Sequence, residues 1–274
     1  MQKKNMNLNF ENETVVITGG LGILGKLFAR GFAEAGANVA IWDAHDDTVS
    51  LVKKRYAKDN FSSRIEGFKV DISDVKNIDL AFKDTETKFG VISHVINNAA
   101  SKGNDLKAFM QGPDTFSMAS WQSIMKVNLD AGFYIAQQTA LRLKKENIGG
   151  SITFVSSIYG VVAPNPNLYE GSKYMGEQIN TPPVYSASKA SVIGLARYLA
   201  AYWGEYDIRV NCISPGGVYS GQNDQFKKRY SERVPLKRMA EAQEMVGPVL
   251  FLASPLASYL TGHNLVIDGG FSQW

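Results

Sequence analysis

Residues 14–25 read TVVITGGLGILG, a short apolar run that passes directly into a glycine-rich turn. The run Thr14–Thr18 predicts a buried strand, and the periodic segment from about Gly22 to Ala35 predicts a helix. The next apolar run, Ala37–Asp43, predicts a second strand. A strand, a crossover helix and a second strand form a βαβ unit, whose two strands lie parallel.

The same alternation continues to the end of the chain. Five further apolar runs are predicted strands: Ile65–Val70, Val91–Asn97, Ser151–Ser156, Ile208–Ile213 and Asn264–Ile267. Because crossovers between parallel strands are right-handed, helices cover both faces of such a sheet. The sequence therefore predicts an α/β fold, a single doubly wound Rossmann domain over residues 1–274 with a seven-stranded parallel sheet. The polar residues 1–12 are predicted to be a flexible N-terminus.

Composition limits the classes of function. The net charge is +3 and the basic residues are spread among acids, so nucleic-acid binding is not predicted. No stretch approaches the roughly 20 apolar residues of a membrane span, and no secretory signal is visible, so we expect a cytoplasmic protein without a membrane partner. The single cysteine, Cys212, and the three histidines show no metal-ligand spacing. We therefore expect a small-molecule partner and no protein-held metal.

The glycine-rich turn is a candidate dinucleotide site. Gly19, Gly22 and Gly25 would let the backbone approach a pyrophosphate, whose charge is favoured by the positive end of the following helix. Ile23 and Leu24 lie in the same turn and are predicted cofactor contacts. Glycine also serves ordinary turns and helix caps, but this position between strand and helix is the one that dinucleotide binding requires.

Asp43, at the end of the second predicted strand, indicates which dinucleotide is bound. A carboxylate there accepts hydrogen bonds from the adenosine ribose hydroxyls and repels a 2′-phosphate. The following residues 44–47, Ala-His-Asp-Asp, contain no cation for that phosphate. The sequence therefore favours NAD over NADP. The alternative is that Asp43 caps a helix that begins near Asp46.

Five motifs appear in order along the chain, each in or just after a predicted strand or helix. They are Asn97-Asn98-Ala99-Ala100, Asn128, Ser156-Ser157, Tyr185-Ser-Ala-Ser-Lys189 and Pro215-Gly216. Through these motifs the sequence resembles the short-chain dehydrogenase/reductase family over nearly its whole length. The resemblance implies an NAD(P)-linked oxidoreductase that moves a hydride between the cofactor and an alcohol or ketone.

The reaction of an alcohol with nicotinamide needs a group that exchanges the hydroxyl proton near neutral pH. A tyrosine titrates near 10, and a lysine four residues later on a helix lies on the same face and lowers that pKa. The resemblance assigns the roles as follows: Tyr185 is the general acid/base, Lys189 lowers its pKa and binds the nicotinamide ribose, Ser157 orients the substrate oxygen, and Asn128 supports a proton-relay water. The alternatives are Ser156 in place of Ser157, and Asn128 as a simple polar helix residue.

A second tyrosine and lysine have the same spacing, Tyr169 and Lys173. Tyr185 is preferred because Val184–Ala201 is predicted to be a helix with small residues on one face. Tyr169 lies instead in a proline-punctuated stretch, where a rigid catalytic helix is not expected.

The resemblance also assigns further cofactor contacts: Asp71, Ile72, Asn98, Ala99, Pro215, Gly216, Val218 and Ser220. Asp71 could equally be a helix N-cap, and Ser220 replaces the family's usual threonine while keeping a hydroxyl. The spacing Gly19-x-x-Gly22-x-x-Gly25 also departs from the family's shorter branch, which usually has glycine where Ile23 stands. This spacing is nearer that of the longer, sugar-nucleotide-modifying branch.

The largest departure is the interval of 28 positions between Ser157 and Tyr185. It contains Ala163–Pro183, with four prolines, which predicts a loop or broken helix beside the site; we call it the insert. Its polar and aromatic side chains favour a hydroxyl-rich ligand: Asn165, Asn167, Tyr169, Glu170, Lys173 and Tyr174. Six basic residues in Gln225–Arg238 could contact a phosphate or carboxylate, or could form a solvated helix face.

The insert, the Tyr202-Trp203 pair and the end Asp268-Gly-Gly-Phe271 resemble the branch associated with flagellin modification and bacterial surface-sugar synthesis. The functional hypothesis is therefore a dehydrogenase of a sugar or sugar-phosphate hydroxyl. The alternatives are a ketone reductase for acyl or polyol substrates and a non-catalytic dinucleotide-binding regulator. The family resemblance implies a homodimer or homotetramer, formed through the helices that begin near Met118 and Val184, with Leu265–Ile267 and Trp274 adding contacts.

Overall fold

A computed structural model describes residues 8–174 and 176–274. Its strands are β1 (Thr14–Thr18), β2 (Asn38–Asp43), β3 (Ile65–Lys69), β4 (Ile92–Asn97), β5 (Gly150–Val155), β6 (Lys173–Tyr174), β7 (Glu177–Gln178), β8 (Ile208–Pro215) and β9 (Asn264–Ile267). Seven of them form a parallel sheet in the order β3-β2-β1-β4-β5-β8-β9. The predicted doubly wound sheet is confirmed, and its strand order reverses between β1 and β4.

The helices are α1 (Gly25–Glu34), α2 (Thr48–Tyr56), α3 (Val75–Phe89), α4 (Leu106–Phe109), α5 (Met118–Met125), α6 (Ala131–Glu146), α7 (Pro183–Trp203), α8 (Asp224–Arg233) and α9 (Val246–Ala253). Alternate residues of β1 explain how the helices are distributed. Val15 and Ile17 pack in the core that contains α1 and α9, whereas Val16 packs in the core that contains α3 and α6. Helices therefore cover both faces of the sheet. Among the described residues, no helix combines the length and apolar character needed to cross a membrane.

Helix α1 begins at Gly25, three residues later than the sequence predicts. Residues 19–24 form a turn instead, in which Gly19 has a φ of +63°. A Cβ on Gly19 would lie 2.9 Å from the Ala99 Cα, and one on Gly25 would lie 2.3 Å from the Gly19 oxygen. Gly19 is therefore required for the turn to pack against the end of β4, and Gly25 is required for the turn to fold back on its own backbone.

The N-terminal segment is anchored earlier than predicted. Phe10 is fully buried, and its ring makes edge contacts with Phe32 and His94. The Phe10 N–H also donates to the Ala35 oxygen. The prediction of a flexible segment through residue 12 is therefore wrong from Phe10 onward, because an apolar ring within the polar stretch finds a site in the core. Residues 1–7 lie outside the described residues.

The insert has the irregular structure that its prolines predict. It contains a short 3₁₀ turn at Pro166–Leu168 and the two-residue strands β6 and β7, which pair antiparallel. It ends where α7 begins, with Pro183 in the first turn of that helix, a position where the missing N–H costs nothing. The insert thus leads directly into the helix that carries Tyr185.

Candidate active site

Tyr185, Lys189 and Ser157 come together at the carboxyl end of the sheet. Tyr185 and Lys189 lie in the first turns of α7, and Ser157 follows β5. Lys189 is 5% exposed, and its Nζ donates to the Val155 oxygen at 2.7 Å. Its Nζ lies 5.9 Å from the centre of the Tyr185 ring. The predicted catalytic tyrosine and lysine therefore share one helix face beside the predicted serine.

Burial shifts the pKa values of both Tyr185 and Lys189. Burial raises the pKa of the Tyr185 phenol, whereas its interaction with the Ser157 hydroxyl lowers that pKa. Burial lowers the pKa of Lys189 to about 8. The group seen to favour the Tyr185 anion is thus Ser157, and acidification of Tyr185 by Lys189 stays a prediction.

Asn128 lies in a π-helical segment, Lys126–Asp130, that joins α5 to α6. Its Oδ1 accepts from the Ser101 N–H at 2.7 Å, and its Nδ2 donates to the Ser188 hydroxyl at 3.3 Å. The side chain is 6% exposed and joins the loop after β4 to the residue before Lys189. Single π-turns often mark functional positions. Support of a proton-relay water by Asn128 stays a prediction.

The structure separates the two adjacent serines. The Ser156 hydroxyl donates to the Lys189 oxygen at 2.6 Å, which fixes α7 against the end of β5. The Ser157 hydroxyl instead accepts from the Tyr159 N–H at 3.2 Å and faces the cleft that contains Tyr185. Ser157 is therefore the serine that is available to a substrate.

Tyr169 and Lys173 do not form a helical pair, because Tyr169 follows a 3₁₀ turn and Lys173 lies in β6. Tyr169 is nevertheless close to the site. It is 7% exposed, its hydroxyl donates to the Tyr159 hydroxyl at 2.7 Å, and it accepts from the Thr181 hydroxyl at 2.8 Å. Tyr169 thus lines the same cleft as Ser157 and Tyr185.

The active-site cleft has a volume of about 360 Å³. Its walls include the predicted residues Ser157, Tyr185, Gly216 and Val218, and further side chains that the sequence analysis did not single out: Ile158, Tyr159, Ile179, Thr181, Gln222, Phe226, Tyr230 and Met239. Ile158 and Tyr159 could have been found from their places one and two residues after Ser157. The others come from segments whose path past the cleft depends on tertiary packing.

Asp43 lies next to the glycine turn, at the end of β2. Its Oδ2 accepts from the Leu21 N–H at 3.0 Å, and its Oδ1 accepts from the His45 N–H at 3.2 Å. Helix α2 begins at Thr48 with Asp47 as its N-cap residue. Asp43 therefore does not cap that helix; its carboxylate is held against the turn.

Asn98 and Ala99 brace the turn from the end of β4. The Asn98 Nδ2 donates to the Thr18 and Gly19 oxygens at 3.0 and 3.1 Å. The N–H groups of Asn98 and Ala99 both donate to the Thr18 hydroxyl. These hydrogen bonds fix the backbone of Thr18 and Gly19, where the glycine turn of the predicted cofactor site begins.

The remaining predicted cofactor contacts also follow strand ends. Asp71 accepts from the Ser73 N–H at 2.9 Å and does not cap α3, whose N-cap is Asp74; Ile72 beside it is buried. Ile23 is 49% exposed at the tip of the glycine turn, whereas Leu24 packs against the core. The Ile23 side chain is thus the accessible one of this pair.

Pro215 ends β8, and the Gly216 N–H donates to the Ile267 oxygen at 2.8 Å. Val218 forms an isolated parallel β-bridge with Ala240 and lines the cleft. Ser220 is exposed, and its hydroxyl accepts from the Gln222 side chain at 3.1 Å. In the part of the chain that the structure describes, no group of three His, Cys, Asp or Glu residues could hold a metal ion.

Two family models match the chain. The family model described as short chain dehydrogenase matches residues 13–180, and the model described as enoyl-(acyl carrier protein) reductase matches residues 174–272. D-arabinitol 2-dehydrogenase (ribulose-forming) from Candida albicans is 32% identical over 287 residues, which cover 98% of this chain and 95% of the relative.

Two solved structures extend the comparison. A short chain dehydrogenase from Leptospira borgpetersenii with bound NAD⁺ is 33% identical with a TM-score of 0.84, and the match covers 99% of this chain and 97% of that one. A gluconate 5-dehydrogenase from Burkholderia cenocepacia, in complex with NADP and tartrate, is 26% identical with a TM-score of 0.83, covering 97% and 98%. The chain is therefore an oxidoreductase that belongs to the short-chain dehydrogenase/reductase family.

Proposed function

We propose that this enzyme interconverts a secondary hydroxyl and a ketone on a polyol or open-chain sugar, with NAD as the preferred cofactor. The observation that carries the proposal is the convergence of Ser157, Tyr185 and further tyrosine hydroxyls on one cleft. The arabinitol dehydrogenase and the gluconate dehydrogenase, both named for hydroxyl-rich substrates, support the substrate class.

The residues present fit a nicotinamide dinucleotide. Gly19 and Gly25 place no side chain at their positions in the turn before α1, and the first N–H groups of a helix lack partners within the helix. Asp43 at this turn would accept hydrogen bonds from the adenosine ribose, and the Lys189 ammonium would hold the nicotinamide ribose. When bound, the cofactor supplies the hydride acceptor or donor.

The chain's own residues move the proton. Ser157 would hold the substrate oxygen by a hydrogen bond, and Tyr185 would take its proton during oxidation or return it during reduction. Burial raises the pKa of Tyr185, so the phenol keeps its proton at neutral pH unless a nearby cation favours its anion. The predicted role of Lys189 meets this need, because a lysine with a pKa of about 8 is mainly charged at pH 7.

We rank a neutral polyol ahead of a sugar phosphate because the six basic residues in 225–238 lie outside the cleft. Arg229 donates to the Asn167 and Glu170 oxygens of the insert, and Arg238 pairs with Glu244. Among the described residues, none of the six basic residues in 225–238 lines the cleft, whose lining includes a single lysine, Lys102. The surface-glycan role implied by the sequence resemblance is therefore the second candidate, and an acyl ketone the third.

The substrate class can be tested with purified enzyme and a panel of pentitols, hexitols, nucleotide sugars and acyl thioesters, each with NAD(H) and NADP(H). We expect turnover with a pentitol or hexitol. Turnover restricted to nucleotide sugars or acyl thioesters would refute the proposal. A thermal shift with NAD but no turnover of any compound would favour the non-catalytic regulator.

The cofactor preference is tested by Asp43→Ser. We expect kcat/KM with NAD to fall about 10-fold, equal to about 1.4 kcal/mol, and kcat/KM with NADP to rise, because the carboxylate that repels a 2′-phosphate is gone. Lys69 pairs with Asp43 in the sheet register, but its Nζ lies 2.6 Å from an Asp46 oxygen. Asp46→Ser is therefore the matched control, which should leave NAD use near that of the wild type. An unchanged NAD/NADP ratio in Asp43→Ser would show that another residue sets the preference.

A further inference from the structure

Three hydroxyl groups form a chain along one wall of the active-site cleft. Thr181 donates to Tyr169 at 2.8 Å, and Tyr169 donates to Tyr159 at 2.7 Å. All three residues line the cleft, and Tyr185 is among the groups that raise the pKa of both Tyr159 and Tyr169 through charge repulsion. The hydroxyl chain therefore lies within electrostatic range of the predicted acid/base.

Both ends of this hydroxyl chain lie in segments that adjoin the predicted catalytic residues. Tyr159 lies in the 3₁₀ turn Ile158–Gly160, whose N-cap is Ser157, so one short segment carries both Tyr159 and the predicted catalytic serine. At the other end, Thr181 directly precedes Pro182, the N-cap residue of α7. The two ends of the hydroxyl chain are therefore carried by the polypeptide segments that also hold Ser157 and Tyr185.

The middle member, Tyr169, is held by contacts with α8 and with the insert. Its ring stacks on Phe226 with centroids 5.5 Å apart, and Phe226 in turn stacks on Tyr230 at 5.8 Å. The Gln178 side chain donates to the main-chain carbonyl oxygen of Tyr169 at 2.9 Å. These contacts orient the Tyr169 hydroxyl before any ligand binds, which lowers the entropy cost of binding.

The Tyr159 hydroxyl ends this chain with unused hydrogen-bonding capacity. Tyr159 shares one hydrogen bond with the Tyr169 hydroxyl, and it stays protonated because burial raises the pKa of Tyr159. Within residues 8–174 and 176–274, Tyr169 is the one hydrogen-bond partner of the Tyr159 hydroxyl, so this phenol has further hydrogen-bonding capacity for a ligand in the cleft. A phenol that faces a largely apolar cleft needs a polar partner to offset the loss of water.

We propose that Tyr159 is a specificity-determining residue, whose hydroxyl binds a second hydroxyl of the substrate beyond the one at the reacting carbon. Tyr169 and Thr181 act as positioning residues that hold the Tyr159 hydroxyl in place. The inference rests on the proposed polyol function and deepens it: the enzyme requires a substrate with at least two hydroxyls, and rejects simple secondary alcohols.

The test pairs a change in the enzyme with a change in the substrate. kcat/KM is measured for wild type and Tyr159→Phe with D-arabinitol and with each of its mono-deoxy analogues. In the wild type, we expect one analogue to lose about 10- to 100-fold relative to the parent, because a site built around a hydroxyl rejects its absence. In Tyr159→Phe, the parent should lose a similar factor, and removal of the same hydroxyl should then cost nothing more.

Two further variants separate binding from structure. Tyr169→Phe should raise KM with kcat nearly unchanged, a smaller effect than that of Tyr159→Phe, since it only loosens the Tyr159 hydroxyl. Tyr206→Phe, which changes a tyrosine exposed to 43% after α7, is the matched control and should behave as wild type.

The outcomes distinguish the two proposals. If the wild type uses neither D-arabinitol nor another polyol, the proposed function and the hydroxyl site both fail. If the wild type uses a polyol but Tyr159→Phe discriminates against the deoxy analogue as strongly as the wild type, only the hydroxyl site is overturned. An equal loss with every analogue would also overturn it, because that result indicates a general structural defect.

Discussion

Tyr185→Phe is expected to lower kcat/KM about 100- to 10,000-fold while leaving the fold and cofactor binding intact. The ring stays in place, but no group remains at that position to exchange the substrate's proton, and positioned acid/base catalysis contributes about 10²–10⁴-fold. The measurement is steady-state turnover of the polyol with NAD, together with a thermal shift on addition of NAD.

Tyr169→Phe is the control for this experiment, because it has the same chemistry, lines the same cleft and has its own lysine four residues later. It should retain kcat within a few-fold of wild type. A Tyr185→Phe enzyme that keeps both its activity and its pH profile would remove Tyr185 as the acid/base. A large loss of kcat in Tyr169→Phe alone would transfer the role to that residue.

The sheet could be predicted because its strands carry their own signals. Val15, Val16 and Ile17 are all buried, as expected for a strand between two helical layers, and their continuous apolar run is visible in the sequence. Gly19 and Gly25 mark the turn because a Cβ at either position would collide with nearby backbone. These are local constraints, so a single sequence reveals them.

The site could be predicted only in part, because its other half depends on distant contacts. Ser156 and Ser157 are adjacent and chemically equal, and only the hydrogen bond from Ser156 to the Lys189 oxygen separates them. The prolines around Tyr169 argue against this residue as the acid/base and place it beside the site, but the contact that holds its ring at the cleft is the stacking on Phe226. No pattern within the insert encodes a contact with a helix more than 50 residues away, so tertiary packing decided its role.

The buried ammonium of Lys189 destabilises the folded protein. Lowering a lysine pKa from 10.5 to about 8 by burial corresponds to a cost of about 3 kcal/mol when the folded protein carries the charge. Between pH 8 and 10.5 the unfolded chain binds more protons than the folded one, so stability rises with pH in this window. Below pH 8 the cost is fully present. A buried charge kept at such cost is typical of a functional site.

Lys189→Met is therefore expected to lower kcat/KM at least 100-fold and to stabilise the fold at pH 7. Loss of the partner of the Val155 oxygen offsets about 1–3 kcal/mol, which leaves a net gain of up to about 2 kcal/mol. Urea unfolding at pH 7 and at pH 10 measures this gain, which should shrink at the higher pH because the wild type loses its penalty there. Lys53→Met, at a lysine whose side chain is 68% exposed, is the control and should show no such pH-dependent difference. A Lys189→Met protein that is less stable than wild type at pH 7 would show that the ammonium stabilises the fold, and its presence would then need no catalytic explanation.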